Sequence, residues 1–161
     1  MLISEKLNAA LNDQIGNELG NSHQYLAIAS YFEGDGLSLL AKIYFAQADE
    51  ERDHAMRILK FVLDAGGRVA IPPVPQPQNH FDSAVEAAQL AYDSEDRTTR
   101  QIYDLVDLAA GEKNHIATNF LQWFVSEQLE EMASADKRLN VIKRAGPSLL
   151  MVEAYLAHGE S

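Results

Sequence analysis

The chain has 161 residues, of which 47% are hydrophobic, 24 are acidic and 13 are basic. This size and composition fit one folded domain rather than a disordered chain. The formal charge of −11 argues against nucleic acid or an anionic membrane as a partner, and it favours the binding of cations. The chain has no cysteine, which excludes disulfides, zinc–thiolate sites, iron–sulfur clusters and thiol catalysis.

Apolar residues recur at spacings of three and four, which predicts an all-α chain. A first helix begins after Ser4, a typical N-cap residue, and runs to about residue 32, where EGDG interrupts the pattern. A second helix runs over about 37–65 and ends before the glycine pair 66–67.

A proline-rich stretch follows, RVAIPPVPQPQNHFD, which cannot be helical and is long for a turn between neighbouring helices. Ser83 and Glu86 form a predicted capping box for a third helix that ends near Gly111. A fourth helix covers about 114–145, and a short fifth helix covers about 148–158.

This order predicts a four-helix bundle over about 4–145, with one long crossover between helices two and three and a short C-terminal fifth helix. Residues 1–161 are thus expected to form a single domain. Each long helix would span roughly 40 Å. No secretory signal or membrane-spanning run is visible, so a cytoplasmic location is expected.

Polar side chains interrupt the apolar stripe of every long helix near its middle. A residue in the middle of a helix lies at mid-height whichever way the helix points, so these groups should meet in one layer of the core. They are Glu18 in the first helix, Glu51 and His54 in the second, Glu95 in the third, and Gln128 and Glu131 in the fourth.

Unpaired carboxylates in a core cost several kcal/mol each, and no lysine or arginine lies on these stripes at that level. A pair of divalent cations would satisfy Glu18, Glu51, His54, Glu95 and Glu131 together. Oxygen-rich ligands with one imidazole and no sulfur suit iron or manganese, with zinc as a competitor. Glu51 and His54, three residues apart, can reach one ion, and Glu51 can bridge two.

Three further acids flank the stripes: Glu50, Glu127 and Glu130. They form either a solvated acidic face or a third, looser cation site that shares Glu131. Tyr25 lies one heptad after Glu18, where its hydroxyl could bond a ligand or supply an electron, although an aromatic residue on a stripe is more often plain core. Trp123 is likewise more often explained as a plain core residue.

The chain resembles the bacterial non-haem ferritins over essentially its full length. The resemblance is carried by four segments: NELGNSHQY with Glu18 and Tyr25, EERDHA with Glu50, Glu51 and His54, YDSED with Glu95, and QWFVSEQLEE with Trp123, Glu127, Gln128, Glu130 and Glu131. The combination is specific, although no single segment would be.

The resemblance implies a ferroxidase centre in which Glu18, Glu51 and His54 hold one iron. Glu51 would bridge to a second iron held by Glu95, with Gln128 nearby. By the same resemblance, Glu50, Glu127, Glu130 and Glu131 match a third iron site, and the catalytic set is Glu18, Tyr25, Glu51, His54, Glu95 and Gln128. The implied reaction oxidises Fe(II) with dioxygen or peroxide.

Haem is not expected. The similar bacterioferritins place a haem-ligating methionine directly after the bridging glutamate, where this chain has Arg52, and they carry a second Glu-x-x-His where this chain has Gln128 and Glu131.

The resemblance also implies a mineral store inside a homo-oligomeric shell of twenty-four subunits. The fifth helix, SLLMVEAYLAHG, is apolar nearly all round, which suggests burial between subunits. Two other functions stay open: a discrete di-metal carboxylate oxidase without a storage role, and a structural bundle without metal.

Overall fold

The computed structural model describes residues 1–159 and contains five α-helices and no strand over that range. The helices are α1 (Glu5–Gly34), α2 (Ser38–Asp64), α3 (Ala84–Gly111), α4 (His115–Ala145) and α5 (Leu150–Ala157). The predicted all-α bundle with a short fifth helix is confirmed, with bounds that differ from the predicted ones by at most about two residues. Residues 160 and 161, the end of the predicted domain, lie outside the described part of the chain.

Side-chain caps fix the starts of three helices. Ser4, Ser83 and Asn114 each accept a hydrogen bond from a backbone N–H of the first turn that follows. The capping box at α3 differs from its prediction in one bond. The Glu86 carboxylate accepts from the backbone N–H of Asp82 at 2.7 Å instead of that of Ser83, so it closes the preceding turn.

The start of α1 and the ends of α2 and α3 lie together at one end of the bundle. The Leu2 N–H donates to the Ala65 carbonyl at 2.7 Å, and the Ser4 hydroxyl donates to the Glu112 carboxylate at 2.7 Å. The start of α1 therefore lies beside the ends of α2 and α3, which makes α2 and α3 parallel to each other. The crossover between them has to run the length of the bundle, as predicted.

Residues 68–78 of this crossover form a strap that two amides hold against α1. Asn12 donates to the Arg68 carbonyl at 2.9 Å and accepts from the Ala70 N–H at 3.0 Å. Gln24 makes the same two-way contact with Gln78, both bonds being 2.9 Å. The proline-rich segment thus has a fixed path although it contains no regular structure.

Gly16 allows the strap to lie close to α1. A Cβ atom at this position would overlap the ring of Pro72, so a larger residue would push the strap outward. At Gly20, one turn further along α1, an added Cβ atom would lie at an ordinary contact distance from Val74.

Two apolar clusters fill the bundle, one towards each end. The first includes Ile28, Phe32, Leu40, Ala88 and Ile142, and the second includes Leu7, Leu11, Ile58, Ile102 and Leu121. A buried polar layer lies between them, built by the mid-helix residues that interrupt the apolar stripes. The core is therefore hydrophobic at both ends and polar at its centre.

The short α5 packs on α2 and α4 and caps the start of α2. The Glu153 carboxylate accepts from the backbone N–H groups of Leu39 and Leu40 at 2.9 and 3.0 Å. Leu150 and Met151 on the same helix are 75% and 68% exposed, which is unusual for two adjacent large apolar residues. None of the helices within residues 1–159 is both long and apolar enough to cross a membrane.

Candidate metal centre

Three side chains from α1 and α2 converge in the polar layer. Glu18, Glu51 and His54 are 0%, 1% and 4% exposed, and the Nδ1 atom of His54 lies 3.7 Å from a carboxylate oxygen of each glutamate. Ligand atoms of all three lie within 4.8 Å of one another. One cation at that point could bind all three donors at once.

A second group joins α2 to α3 and α4. Glu51, Glu95 and Glu131 are buried, and their carboxylate oxygens also lie within 4.8 Å of one another. Glu51 belongs to both groups, so the geometry allows it to contact two cations. Three carboxylates this close cannot all be ionised without positive charge among them.

A third group extends outward and contains His54, Glu127 and Glu131. Of these, Glu127 is half-buried and reaches the edge of the bundle. The other two flanking acids, Glu50 and Glu130, are exposed and belong to none of the ligand groups found among residues 1–159.

Two buried carboxylate oxygens have no hydrogen-bond partner within the described residues: Oε2 of Glu18 and Oε2 of Glu51. Both are the atoms that face His54. Buried polar atoms almost always have a partner, because an unsatisfied one costs about 1–3 kcal/mol and more when charged. The donor set therefore fits a cation, which would bind these two oxygens.

The remaining oxygens of the first group are held by amides. Gln14 donates to Oε1 of Glu18 at 3.0 Å. Gln47 donates to Oε1 of Glu51 at 3.1 Å and to Oε2 of Glu131 at 2.7 Å. These amides orient one oxygen of each carboxylate and leave the other oxygen free to bind.

Tyr25 and Gln128 hold Glu95 in a similar way. The Tyr25 hydroxyl donates to Oε1 of Glu95 at 2.5 Å, and the Gln128 amide donates to Oε2 at 3.2 Å and to the Thr99 hydroxyl at 3.0 Å. Since Gln128 presents its nitrogen to Glu95, its part in this arrangement is to position that carboxylate.

Burial and mutual repulsion raise the pKa of the clustered carboxyl groups. Burial, followed by the neighbouring carboxylates, raises the pKa of Glu51 and of Glu95 to about 7 and that of Glu131 to about 8. Burial would lower the pKa of His54, yet the carboxylates of Glu18 and Glu51 raise it to about 11. Burial and the Glu95 charge raise the Tyr25 pKa well above its ordinary value. Without a cation, the centre therefore keeps protons at neutral pH.

An acidic vestibule of about 200 Å³ connects the outside to His54 between α2 and α4. It is lined by Glu50, Asp53, His54, Arg57, Trp123 and Glu127. The Arg57 guanidinium lies 3.8 Å from the centroid of the Trp123 ring, and that ring meets the His54 imidazole edge-on at 5.5 Å. Three carboxylates against one guanidinium give this opening a negative character.

Sequence reasoning gave no role to Gln14, Gln47 or Arg57. The first two could have been found, because each precedes its glutamate by four residues, and residues i and i+4 of a helix are neighbours. The pattern Gln-x-x-x-Glu occurs at both Gln14–Glu18 and Gln47–Glu51. The position of Arg57 over Trp123 depends on how α2 and α4 pack, which no local pattern encodes.

Comparison with known proteins gives a consistent result. The ferritin-like domain family model matches residues 8–145. Ferritin BfrB of Mycolicibacterium smegmatis is 39% identical over 155 residues, covering 96% of this chain and 86% of that protein. The bacterial non-heme ferritin of Staphylococcus haemolyticus is 32% identical over 159 residues, covering 97% and 96%.

Solved structures agree. An open pore ferritin from the archaeon Archaeoglobus fulgidus has a TM-score of 0.92 and 39% identity, covering 96% of both chains. A humanized archaeal ferritin has a TM-score of 0.92 and 37% identity, covering 96% of this chain and 95% of that one. The match extends over the four long helices that supply the candidate metal centre, and the chain belongs to the ferritin-like family.

Proposed function

We propose that the buried polar layer is the ferroxidase centre of this chain and that it holds two iron ions as substrate. Glu18, Glu51 and His54 would bind the first ion. Glu51, Glu95 and Glu131 would bind the second, with Gln128 beside it. As a member of the ferritin-like family, the chain is an iron-storage protein that oxidises Fe(II) to Fe(III).

The pair of unsatisfied oxygens on Glu18 and Glu51 is the observation that supports this proposal most strongly. Both face one imidazole, and Glu51 also belongs to the second ligand group. A purely structural bundle would satisfy such atoms with hydrogen bonds or replace them with apolar groups. A centre that binds and releases cations has to keep them available.

The chemistry follows from two ferrous ions held side by side. Each gives one electron, so that two Fe(II), one dioxygen and two protons yield two Fe(III) and one hydrogen peroxide. Carboxylate oxygens favour the harder Fe(III) product. Protons leave Glu51, Glu95 and His54 when iron binds, because each of these groups has a raised pKa.

A third, weaker iron site would lie at the inner end of the vestibule. His54, Glu127 and Glu131 form the ligand group there, and the exposed Glu50 and Glu130 would supply charge near its entrance. Sharing Glu131 with the centre would allow an ion to pass between the two sites.

The assembly is a homo-oligomer, which we propose to be a shell of twenty-four subunits. The exposed apolar side chains Leu150 and Met151 on α5 support an intersubunit contact at this helix. We expect no haem, because Arg52 follows the bridging Glu51 and carries no ligand atom suited to haem iron. The single domain over 1–161 and a cytoplasmic location stay predictions from the sequence.

Anaerobic titration with Fe(II) tests the proposed centre. We expect saturable binding of two ions per subunit and a weaker third, followed by oxidation when air is admitted. The substitution Glu51→Gln should abolish tight binding of both ions, since Glu51 belongs to both ligand groups. Glu5→Gln, at an exposed position on α1, is the matched control and should bind like the wild type. An unchanged titration with Glu51→Gln would contradict the proposal.

Size-exclusion chromatography separates storage from the rival function. A shell of twenty-four chains of 17.8 kDa would elute at roughly half a megadalton, whereas a discrete di-metal oxidase would elute at tens of kilodaltons.

A further inference from the structure

A second cavity lies on the other face of the bundle from the vestibule. It has a volume of about 660 Å³ and is lined by α1, α3 and the strap, whereas α2 and α4 line the vestibule. Five carboxamide side chains line it: Asn17, Asn21, Gln24, Gln76 and Gln101. Its charged lining residues are Asp13 and Arg97, one of each sign, so the lining has no net formal charge.

One buried side chain links a lining residue of this cavity to the metal centre. Gln14 is 2% exposed, and its amide nitrogen donates to Glu18 at 3.0 Å and to the Oε1 atom of Gln101 at 3.4 Å. Its amide oxygen accepts from Asn17 at 3.2 Å. The orientation of Gln14 is therefore fixed by hydrogen bonds on both sides, and Gln101 is the cavity residue that contacts it from α3.

Gln101 can move without disturbing the ligand groups. It is half-buried, and its 3.4 Å contact with Gln14 is long for an N–H···O hydrogen bond. A rotation of its side chain away from Gln14 would extend the cavity to the amide that holds Glu18. None of the ligands Glu18, Glu51 or His54 has to shift for this opening.

The two openings suit different chemical species. Fe(II) gives up hydration waters only for anionic or strongly polar donors, and the vestibule offers three carboxylates against one guanidinium. The cavity behind the strap offers amide donors and acceptors without net charge. That lining matches a small uncharged molecule that forms hydrogen bonds, and it gives a divalent cation little compensation for lost water.

We propose that this cavity admits a small uncharged, hydrogen-bonding oxidant, the class to which hydrogen peroxide belongs, and that Gln101 gates its path to the centre. The cation and the oxidant then approach from opposite faces. This inference rests on the proposed function. In the step it serves, two Fe(II) give two electrons to one hydrogen peroxide, the O–O bond breaks, two protons are taken up, and two waters and two Fe(III) result.

Stopped-flow oxidation with two variants of opposite effect tests the route. The assembled protein is loaded anaerobically with two Fe(II) per subunit and mixed with increasing hydrogen peroxide. Gln101→Phe places a ring at the inner end of the cavity and should lower the second-order rate constant by about tenfold or more. Gln101→Ala removes the gate and should raise it. Gln89→Phe, at a half-buried position on the same helix that does not line the cavity, is the matched control and should behave as wild type.

The outcomes distinguish this route from the function it serves. Unchanged rate constants for both Gln101 variants, with normal binding of two Fe(II), would overturn the route and leave the ferroxidase centre intact. Failure of the wild type to bind Fe(II) would instead contradict the proposed function. Equal slowing of the reactions with dioxygen and with hydrogen peroxide in Gln101→Phe would indicate damage to the centre and overturn the route. If Gln101→Phe does not assemble, Gln101→Ala decides alone, because a rate constant that does not rise contradicts a gate.

Discussion

Replacing Glu95 by glutamine should stabilise the metal-free protein at alkaline pH. The pKa of Glu95 is raised from 4.5 to about 7, first by burial and then by the Glu51 charge. A group whose folded pKa is raised holds its proton more tightly in the folded state, so stability falls as pH rises from 4.5 to about 7. Above that range the full cost is present, and this rise in pKa corresponds to about 3 kcal/mol.

Glu95→Gln removes this cost while keeping the shape of the side chain and an oxygen that accepts from Tyr25. The Gln128 amide then has to turn over, so that its oxygen accepts from the new amide nitrogen. At pH 8 we expect the variant to be more stable by up to about 3 kcal/mol, which is roughly 6–12 °C in Tm for a chain of this size. At pH 5 the carboxyl group is protonated in the folded state, and the gain should shrink to about 1 kcal/mol.

Differential scanning calorimetry of chelator-treated protein at pH 5 and pH 8 measures the effect. Glu130→Gln, at an exposed position on α4, is the control and should not change Tm at either pH. A Tm for Glu95→Gln below that of the wild type at pH 8 would refute the argument that these carboxylates are electrostatically strained without a cation.

Three further predictions follow from the site and the strap. Affinity for Co(II), measured by calorimetric titration, should fall from pH 8 to pH 6, because protons compete with the metal for three carboxylates. The pKa values of Glu51, Glu95 and Glu131 are raised to about 7, 7 and 8. An affinity that stays constant over this range would contradict the prediction. Gln47→Leu should cost the metal-free protein about 1–3 kcal/mol of stability, because it leaves two buried carboxylate oxygens without a hydrogen bond. Added Co(II) should reduce this loss of stability, and the control Gln89→Leu should not change stability. Gly16→Ala should lower Tm by displacing Pro72, at an overpacking cost of about 1–3 kcal/mol, while Gly20→Ala, which meets only ordinary contact distances, should not lower it.

The sequence predicted the helices and the depth of the polar layer because both depend on local patterns. Ser4 and Ser83 cap helices where expected, and Glu18, Glu51 and Glu95 lie in the buried layer because each interrupts the apolar stripe of its own helix. A position on a stripe fixes which side chains face the core and at what height.

The contacts between side chains could not be predicted in the same way. The single amide of Gln47 bonds both Glu51 and Glu131, and this depends on the distance between α2 and α4. The Gln128 amide turns its nitrogen to Glu95, although ligand binding would use its oxygen. The cavity behind the strap depends on Gly16 and on the path of the prolines, which become meaningful only when the strap lies on α1.

Anomalous diffraction at the iron edge from crystals soaked anaerobically in Fe(II) tests the central claim most directly. We predict two peaks per subunit within about 4 Å of each other, one between Glu18, Glu51 and His54 and one between Glu51, Glu95 and Glu131. A map with iron only on the outer acidic surface, and none among these buried side chains, would contradict the assignment.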